Sequence, residues 1–348
     1  MLVHSEQESA TGHMKAYVVE EPFGIDALRL EERPVPEPGP GQVLVRIAAV
    51  SLNYRDLLVV RGTWRPTSPR IPASDGVGEV VAVGAGVTRV GVGERVAGIF
   101  LPGWIDGELT PDALRSPSLG GTGADGTLAE YVVFDAEAVV PVPPHLSHVE
   151  AAALPLAGVT VWHALARSGV KAGDTVLVQG TGGVSLFALQ FARALGAEVI
   201  VTSGSDEKLR RARELGAAHG INYRHAPAWD QATLELTAGR GVDHVIEVVG
   251  GENLDRSLNA VRMSGSIAMV GLLGGTRAKV ETFGFVEKNV RLHGIFVGSR
   301  EMFEEMNQVV ARHEIRPVID RVFDFGDVPA ALRHLETGVH FGKVGVRL

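Results

Sequence analysis

A glycine-rich turn between an apolar strand and an amphipathic helix constrains this chain more than any other feature. The segment 175–197 reads TVLVQGTGGVSLFALQFARALGA, where Gly180 and Gly182 open a G-x-G-x-x-G pattern and Ser185 stands at its last position. The first glycine permits a tight turn, and the second lets the backbone approach a pyrophosphate at the helix N-terminus, where free N–H groups favour anions. The turn therefore predicts a dinucleotide site. Its predicted contact residues are Gly180, Thr181, Gly182, Gly183 and Val184.

Two different patterns divide the rest of the chain. From residue 149 to residue 298, apolar strand segments alternate with helical stretches rich in Ala, Leu and Arg. Apolar runs that are buried on both faces and alternate with helices are typical of a parallel, doubly wound sheet. From Lys15 to about Val142 the strands are short and separated by Gly and Pro, a pattern that favours a β-barrel or sandwich. The sequence thus predicts an α/β protein with a β-rich domain and a parallel-sheet domain.

The end of the second strand in the parallel-sheet region indicates which dinucleotide binds. A site for NAD usually has Asp or Glu there, about 20 residues after the turn, to hold the ribose 2′-hydroxyl. This chain has TSGS at Thr202–Ser205, and Lys208 follows one helical turn later. Hydroxyl groups and a cation suit a 2′-phosphate, which an acid would repel. We therefore predict NADPH (NADP) as the cofactor, with Ser203 and Lys208 at the phosphate.

Composition argues against several other classes of function. The chain of 348 residues has a net charge of −8, so it lacks the basic surface that nucleic-acid binding needs. It has no stretch of about 18 apolar residues, and no membrane partner is expected. Residues 1–13 are polar and lack the apolar core of a secretory signal, so we expect a disordered extension and a cytoplasmic protein. The absence of cysteine excludes disulfides, a thiol nucleophile and thiolate zinc sites.

Motifs along nearly the whole chain resemble those of the medium-chain dehydrogenase/reductase superfamily, above all its zinc-independent, quinone oxidoreductase-like and alcohol dehydrogenase-like members. Besides the glycine-rich turn, the motifs are AAVSLNYRDLLVVRG, PASDGVGEVVAVGAGV, GTLAEYVV, AALPLAGVTVWHAL, VDHVIEVVG and the terminal GKV. The resemblance implies a GroES-like β-rich catalytic domain over residues 14–148 and 299–348. It also implies a Rossmann NADP-binding domain over residues 149–298, with the active site in the cleft between the two.

The resemblance implies further cofactor contacts and a mode of assembly. Tyr223, in the INY motif, corresponds to a tyrosine beside the adenosine phosphate. Gly271 and the backbone of Phe296 and Val297 correspond to positions that meet the nicotinamide half of the cofactor, and Thr160 to a position near its ring. Relatives pair edge strands at the segment RLHGIFVG, so a homodimer is expected.

Zinc-dependent relatives take their catalytic ligands from a Cys, a His-Glu pair and a second Cys, and this chain has other residues at those positions. Asn53 replaces the first Cys, Ser74 and Asp75 replace the His-Glu pair, and Leu156 replaces the last Cys. Asn, Ser and Leu cannot form the set of nitrogen and sulfur ligands that zinc prefers. We therefore predict that the protein binds no metal.

Without zinc, the chain lacks the Lewis acid that polarises a carbonyl group. Quinones and α,β-unsaturated carbonyls need less of this help, because conjugation spreads the developing charge. The predicted catalytic residues are Asn53, whose amide can donate to a substrate oxygen, and Tyr54, whose phenol can donate or stack on a flat ring. The leading hypothesis is an NADPH-dependent reductase of a small carbonyl or quinone substrate. Two alternatives stay open: a zinc-free NADP-dependent alcohol dehydrogenase or aldehyde reductase, and an NADPH-binding redox sensor with little turnover.

Overall fold

Two units make up the structure, a computed structural model that describes residues 12–64 and 68–348. The β-rich unit comprises Met1–Leu156, Ser299–Ala311 and Ile319–Leu348, and the parallel-sheet unit comprises Ala157–Gly298 and Arg312–Val318. The division falls after Leu156, eight residues beyond the predicted boundary at 148, because the short helix that follows residue 147 packs with the β-rich unit. Residues 312–318 return to the parallel-sheet unit, a detail that the sequence did not indicate.

The first segment of the β-rich unit is built from short strands and three short helices. They are β1 (His13–Val18), β2 (Arg29–Pro34), β3 (Gln42–Leu52), α1 (Tyr54–Val60), β4 (Asp75–Val83), β5 (Arg95–Gly98), α2 (Pro111–Arg115), β6 (Tyr131–Asp135), β7 (Val139–Pro141) and α3 (His148–Ala152). Residues 1–11 of the predicted N-terminal extension lie outside the described residues. His13 already pairs with Pro34 in the β1–β2 ladder, so the extension does not reach residue 13.

Strands and helices alternate in the parallel-sheet unit. They are α4 (Val159–Ser168), β8 (Thr175–Gln179), α5 (Gly183–Ala194), β9 (Glu198–Ser203), α6 (Asp206–Glu214), β10 (His219–Asn222), α7 (Trp229–Leu236), β11 (Val242–Glu247), α8 (Asn253–Ala260), β12 (Val261–Met269), α9 (Phe283–Lys288) and β13 (Arg291–Gly294). The chain then forms α10 (Arg300–Arg312), β14 (Ile319–Asp324), α11 (Val328–Glu336) and β15 (Lys343–Arg347). In the described ranges, no helix is both long and apolar enough to cross a membrane.

The six strands of the parallel-sheet unit lie in the order β10-β9-β8-β11-β12-β13, and every neighbouring pair is parallel. Numbered within the unit, this is the order 3-2-1-4-5-6 of the dinucleotide-binding doubly wound fold. All six residues of β11, VDHVIE, are buried, as expected for a central strand covered on both faces. The predicted Rossmann fold is confirmed. In such sheets ligands bind beyond the carboxyl ends of the strands, at the point where the strand order reverses. Here that point lies between β8 and β11.

A seven-stranded sheet forms the centre of the GroES-like β-rich unit. Strand β3 is its longest strand, and it pairs with β4, β6 and β15. Because β15 runs antiparallel to β3 with Val344 opposite Leu52, the start of β15 lies beside the end of β3. This pairing brings Lys343 next to the residues that follow β3.

A buried carboxylate fastens the carboxyl end of β8 to β11 and α8. Glu247, the last residue of β11, is 0% exposed. Its Oε1 accepts from the backbone N–H groups of Val249 at 2.8 Å and Gly250 at 2.9 Å, and its Oε2 accepts from Gln179 Nε2 at 2.9 Å. The Ser257 hydroxyl and the Asn253 amide complete the network. Because a carboxylate in the interior needs hydrogen-bond donors, and these donors come from β8, from the residues after β11 and from α8, Glu247 stabilises the strand ends that carry the glycine-rich turn.

We predict that Glu247→Ala lowers the free energy of unfolding by about 3 kcal/mol, because it leaves several buried donors without an acceptor. Urea denaturation followed by tryptophan fluorescence measures the loss, since Trp162 and Trp229 lie in the same unit. Glu198→Ala is the matched control: Glu198 is exposed, and its change is expected to stay within about 0.5 kcal/mol. Equal effects of the two substitutions would contradict the structural role of Glu247.

Candidate functional site

The glycine-rich turn has the backbone geometry that its sequence predicts. Gly180 has φ +76°, a conformation that a residue with a side chain rarely adopts. Its N–H donates to the carbonyl oxygen of Thr202 at 2.8 Å, which ties the turn to the end of β9. Gly182 is the N-cap of α5, and Gly183 is the first helical residue. No side chain caps this helix, so its first N–H groups are available to an anionic ligand.

Ser185 explains how the turn manages without its last glycine. The hydroxyl group is buried and donates to the carbonyl oxygen of Gln179 at 2.6 Å. The side chain is therefore turned towards the end of β8, where it satisfies a backbone acceptor. The serine departs from the pattern without blocking the face that the turn presents to a ligand.

At the end of β9, Ser203 is joined by two groups from the loop after β10. A β-carbon placed on the neighbouring Gly204 would lie 2.8 Å from the Tyr223 hydroxyl oxygen and 3.0 Å from Arg224 Nε. The phenol and the guanidinium group thus lie directly against this strand end, beside the position where NAD enzymes keep an acid. Lys208 is in the first turn of α6, where its N–H donates to Ser205 Oγ at 3.4 Å.

Sequence reasoning missed Arg224, although the residue directly follows Tyr223. The available signal was that Arg224 is a cation next to a tyrosine already assigned to the phosphate pocket. Because Arg224 and Ser203 are 21 residues apart in the chain, the sequence did not show that they lie close together. Asp206, the first residue of α6, accepts from Asn222 Nδ2 at 2.7 Å and lies 3.8 Å from His225 Nδ1. Its charge is therefore partly satisfied by neighbouring donors.

Of the residues assigned to the nicotinamide half, Gly271 follows β12, Phe296 and Val297 follow β13, and Thr160 lies on α4. Val297 has φ +41°, which is strained for a β-branched residue, and its carbonyl oxygen is 2.7 Å from His163 Nδ1. Burial lowers the pKa of His163, which favours a neutral ring that donates from Nδ1. Thr160 lies on α4, one turn before His163, and is 5% exposed, whereas Phe296 is 45% exposed.

Gly271 is required by a close backbone approach. A β-carbon there would lie 2.1 Å from the carbonyl oxygen of Val248, so no larger residue fits without moving the backbone. Its N–H donates to Glu247 O at 3.1 Å. Gly271 thus belongs to the same strand-end arrangement that Glu247 stabilises.

The two predicted catalytic residues open helix α1 in the β-rich unit. Asn53 is its N-cap, and the backbone N–H of Asn53 donates to Asp56 Oδ2 at 2.8 Å. Tyr54, the first helical residue, is 49% exposed. Asn53 itself is 7% exposed. A ligand could therefore contact much of the Tyr54 side chain but only a small part of Asn53.

Of the four positions that hold zinc in metal-dependent relatives, three contact the fourth, Asp75. Ser74 Oγ donates to Asp75 Oδ1 at 2.7 Å, and the Leu156 N–H donates to Asp75 Oδ2 at 3.3 Å. The Asn53 side chain also hydrogen-bonds this carboxylate, which opposes the rise in the Asp75 pKa that burial causes. The correspondence drawn from sequence motifs therefore describes one real cluster of side chains.

Lys343 is the residue of this cluster that sequence reasoning missed. Its side chain is buried, and Nζ donates to the Leu52 carbonyl oxygen at 2.9 Å and to Asn53 Oδ1. Asp75 Oδ2 lies 4.0 Å from Nζ. The lysine comes from the GKV motif, 290 residues after Asn53, and only the β3–β15 pairing brings the two together.

Comparison with known proteins agrees with this architecture. Residues 39–144 match the alcohol dehydrogenase GroES-like domain, and residues 183–312 match the zinc-binding dehydrogenase family. A zinc-type alcohol dehydrogenase-like protein of Schizosaccharomyces pombe is 43% identical over 95% of this chain and 99% of its own length. The chain belongs to the medium-chain dehydrogenase/reductase superfamily. It is therefore an NAD(P)-dependent oxidoreductase, similar to the alcohol dehydrogenases.

Solved structures extend the similarity. A Sinorhizobium meliloti 1021 protein provisionally assigned as an alcohol dehydrogenase is 44% identical, with a TM-score of 0.91 over 98% of this chain and all of its own. The quinone oxidoreductase of Coxiella burnetii is 28% identical, with a TM-score of 0.78 over 97% of this chain and all of its own. Both similarities therefore extend over the two units of this chain.

A zinc ion does not fit the cluster around Asp75, in spite of the zinc-related names of the matching family and relative. The zinc-named match covers residues 183–312, outside all four ligand positions. Those positions offer an amide, a hydroxyl already bound to Asp75 and an apolar Leu side chain. The Lys343 ammonium group would also repel a divalent cation. Across the described ranges, no three His, Cys, Asp or Glu side chains are grouped so as to hold a metal ion.

The cluster contains two buried carboxylates and two buried cations. Burial raises the pKa of Asp56 to about 6, although Arg55 lies 3.2 Å away, and burial also raises the pKa of Asp75. Burial lowers the pKa of Lys343, while Asp75 and Asp56 oppose this change. The opposite charges therefore depend on one another, since each would be costly to bury alone.

Proposed function

We propose that this protein is an NADPH-dependent, zinc-independent oxidoreductase that reduces a quinone or an α,β-unsaturated carbonyl compound. The observation that carries the proposal is the cluster around Asp75, where the Asn53 amide stands at a metal-ligand position and the Lys343 ammonium group donates to it. The similarity to a quinone oxidoreductase supports the same substrate class.

The nicotinamide, when bound, supplies the hydride. The electron pair displaced within the conjugated substrate moves to its oxygen atom, and the chain has to stabilise the charge that develops there. Tyr54 is exposed enough to stack on a flat ring or to donate its phenol hydrogen to that oxygen. Asn53 supplies an amide donor at the edge of the same surface. A conjugated acceptor suits these neutral donors, because its charge is spread over several atoms.

A zinc-free alcohol dehydrogenase or aldehyde reductase is the second candidate, and the alcohol dehydrogenase names of the most similar relatives favour it. It would require the same neutral donors to polarise an unconjugated carbonyl. The two candidates differ in the acceptor that they reduce, so one assay separates them.

We predict that purified protein oxidises NADPH with a quinone or an enone and is much slower with a saturated aldehyde of similar size. Loss of NADPH absorbance measures both rates, and addition of a chelator is expected to change neither. Tyr54→Phe is expected to lower kcat by about 10-fold or more, because it removes a donor that acts on the charged oxygen. Faster turnover of the saturated aldehyde would favour the second candidate, and no turnover of any conjugated acceptor would refute the first.

The same proposal assigns NADPH rather than NADH as the cofactor. Ser203, Tyr223 and Arg224 meet at the end of β9, where a 2′-phosphate would find hydroxyl groups and a guanidinium group. The glycine-rich turn and the uncapped N-terminus of α5 suit the pyrophosphate. Thr160, Gly271, Phe296 and Val297 are proposed for the nicotinamide half, and Lys208 for the phosphate.

We predict that Ser203→Asp lowers kcat/KM for NADPH by about 10-fold or more and raises it for NADH, because a carboxylate repels the phosphate and accepts from the ribose 2′-hydroxyl. Arg224→Gln is expected to weaken the binding of NADPH and to leave the binding of NADH unchanged. Arg210→Gln is the control, since Arg210 is exposed on α6 and pairs with Glu207 and Glu214. A preference of the unmodified protein for NADH would overturn the assignment.

A homodimer is proposed on the exposed edge of the parallel sheet. In the described part of the chain, strand β13 is the last strand of that sheet, and its Leu292 side chain is 45% exposed. Met263, Phe283 and Val286 add apolar side chains that are 67%, 63% and 75% exposed. Pairing of two β13 edges would satisfy the free backbone groups and cover these side chains.

Light scattering tests the dimer directly. The unmodified protein is expected to have twice the 36.9 kDa mass of the chain, and Leu292→Asp is expected to shift it towards the monomer. Val339→Asp is the matched control, because Val339 is also exposed but belongs to the β-rich unit. A monomeric mass of the unmodified protein would refute the proposed interface.

A further inference from the structure

The hydrogen bonds of Lys343 are directed at Asn53 rather than at the nearest carboxylate. Its Nζ donates to Leu52 O and Asn53 Oδ1, whereas Asp75 Oδ2 is 4.0 Å away, beyond hydrogen-bond distance. Both oxygens of Asp75 already accept from other groups, Ser74 Oγ and the Leu156 N–H. The ammonium group is thus committed to the residues that open α1.

This commitment fixes which way the Asn53 amide points. Because Oδ1 accepts from the ammonium group, the Nδ2 group must lie on the opposite side of the amide. One Nδ2 hydrogen is engaged by Asp75. Nδ2 also donates to Ser51 O at 3.5 Å, the upper limit of hydrogen-bond distance, so this bond is weak. An incoming oxygen atom can replace Ser51 O as the acceptor of that hydrogen.

We propose that Lys343 is a positioning residue for the reaction, in which its ammonium group orients and polarises the Asn53 amide so that Nδ2 donates to the substrate oxygen. This inference rests on the proposed function, since it assigns the source of positive charge for the same substrate. A hydrogen bond from a cation withdraws electrons from the amide and strengthens its N–H donor, and the effect is larger in a buried setting. The chain thus places a fixed internal cation behind a neutral donor, where metal-dependent relatives use zinc.

A purely structural role for Lys343 is the competing explanation, because removal of one partner from a buried ionic cluster destabilises a protein. The double variant Lys343→Met/Asp75→Asn separates the two roles. It removes one cation and one anion together, so the buried charge stays balanced, while the ammonium group behind Asn53 is lost.

We predict that Lys343→Met lowers both the Tm and kcat with a conjugated acceptor, whereas the double variant regains most of the Tm and keeps a kcat lowered by about 10–100-fold. KM for NADPH is expected to stay unchanged in the double variant. Lys343→Arg, which keeps the charge, is expected to keep more activity than either. Lys279→Met is the control for loss of an exposed lysine. Recovery of kcat together with the Tm in the double variant would overturn the proposal.

A second readout does not require turnover. Para-nitrophenol carries an oxygen that becomes negatively charged, and its colour reports the charged form. In the presence of NADP, binding to the unmodified protein is expected to lower the pKa of this probe, and the double variant is expected to abolish the shift. The same shift in both proteins would refute the role of Lys343. A shift that depends on Lys343, found in a protein that reduces no conjugated acceptor, would refute the proposed function and leave the charge at Asn53 established.

Discussion

A buried ammonium group on the first residue of the last strand joins the end of β3 to the start of α1 in the β-rich half of this protein. Lys343 reaches the site only because β15 pairs with β3, and its Nζ then bonds to the carbonyl oxygen of Leu52 and the side chain of Asn53. A buried lysine is costly unless its charge is matched and its hydrogens are bound. Asp75 and Asp56 provide the matching charge. The start of α1, where Tyr54 is exposed, is held in place by the same contacts.

The cluster also shows how a superfamily site can be kept after its metal ligands are gone. Asn53, Ser74, Asp75 and Leu156 still meet, because they stand on elements that the fold brings together whatever side chains they carry. Where zinc-dependent relatives have thiolate and imidazole ligands, this chain has an amide that accepts from a buried ammonium group. Neutral donors backed by a cation suit a substrate whose charge is delocalised, which is the basis of the proposed preference for conjugated acceptors.

In the parallel-sheet half, the candidate cofactor site is shaped mainly by the backbone conformation of the strand ends. Gly180 supplies the positive φ of the turn, Gly271 permits a close approach to Val248, and Val297 is held in a strained conformation by His163. Glu247 ties the strand ends together from within. A dinucleotide makes many of its contacts with backbone groups, so a rigid set of strand ends serves it better than mobile side chains.

The sequence by itself determined the Rossmann and GroES-like architecture, the dinucleotide turn and the missing zinc ligands, because each depends on residues close together in the chain or on periodic burial. The local pattern TSGS also revealed the absence of an acid at the end of β9. Tertiary structure alone decided the rest. Arg224 joins Ser203 only when β10 pairs with β9, and Lys343 joins Asn53 only when β15 pairs with β3. Both are cations brought to their sites by strand pairing across distance in the chain, and spacing in a sequence carries no record of such pairing.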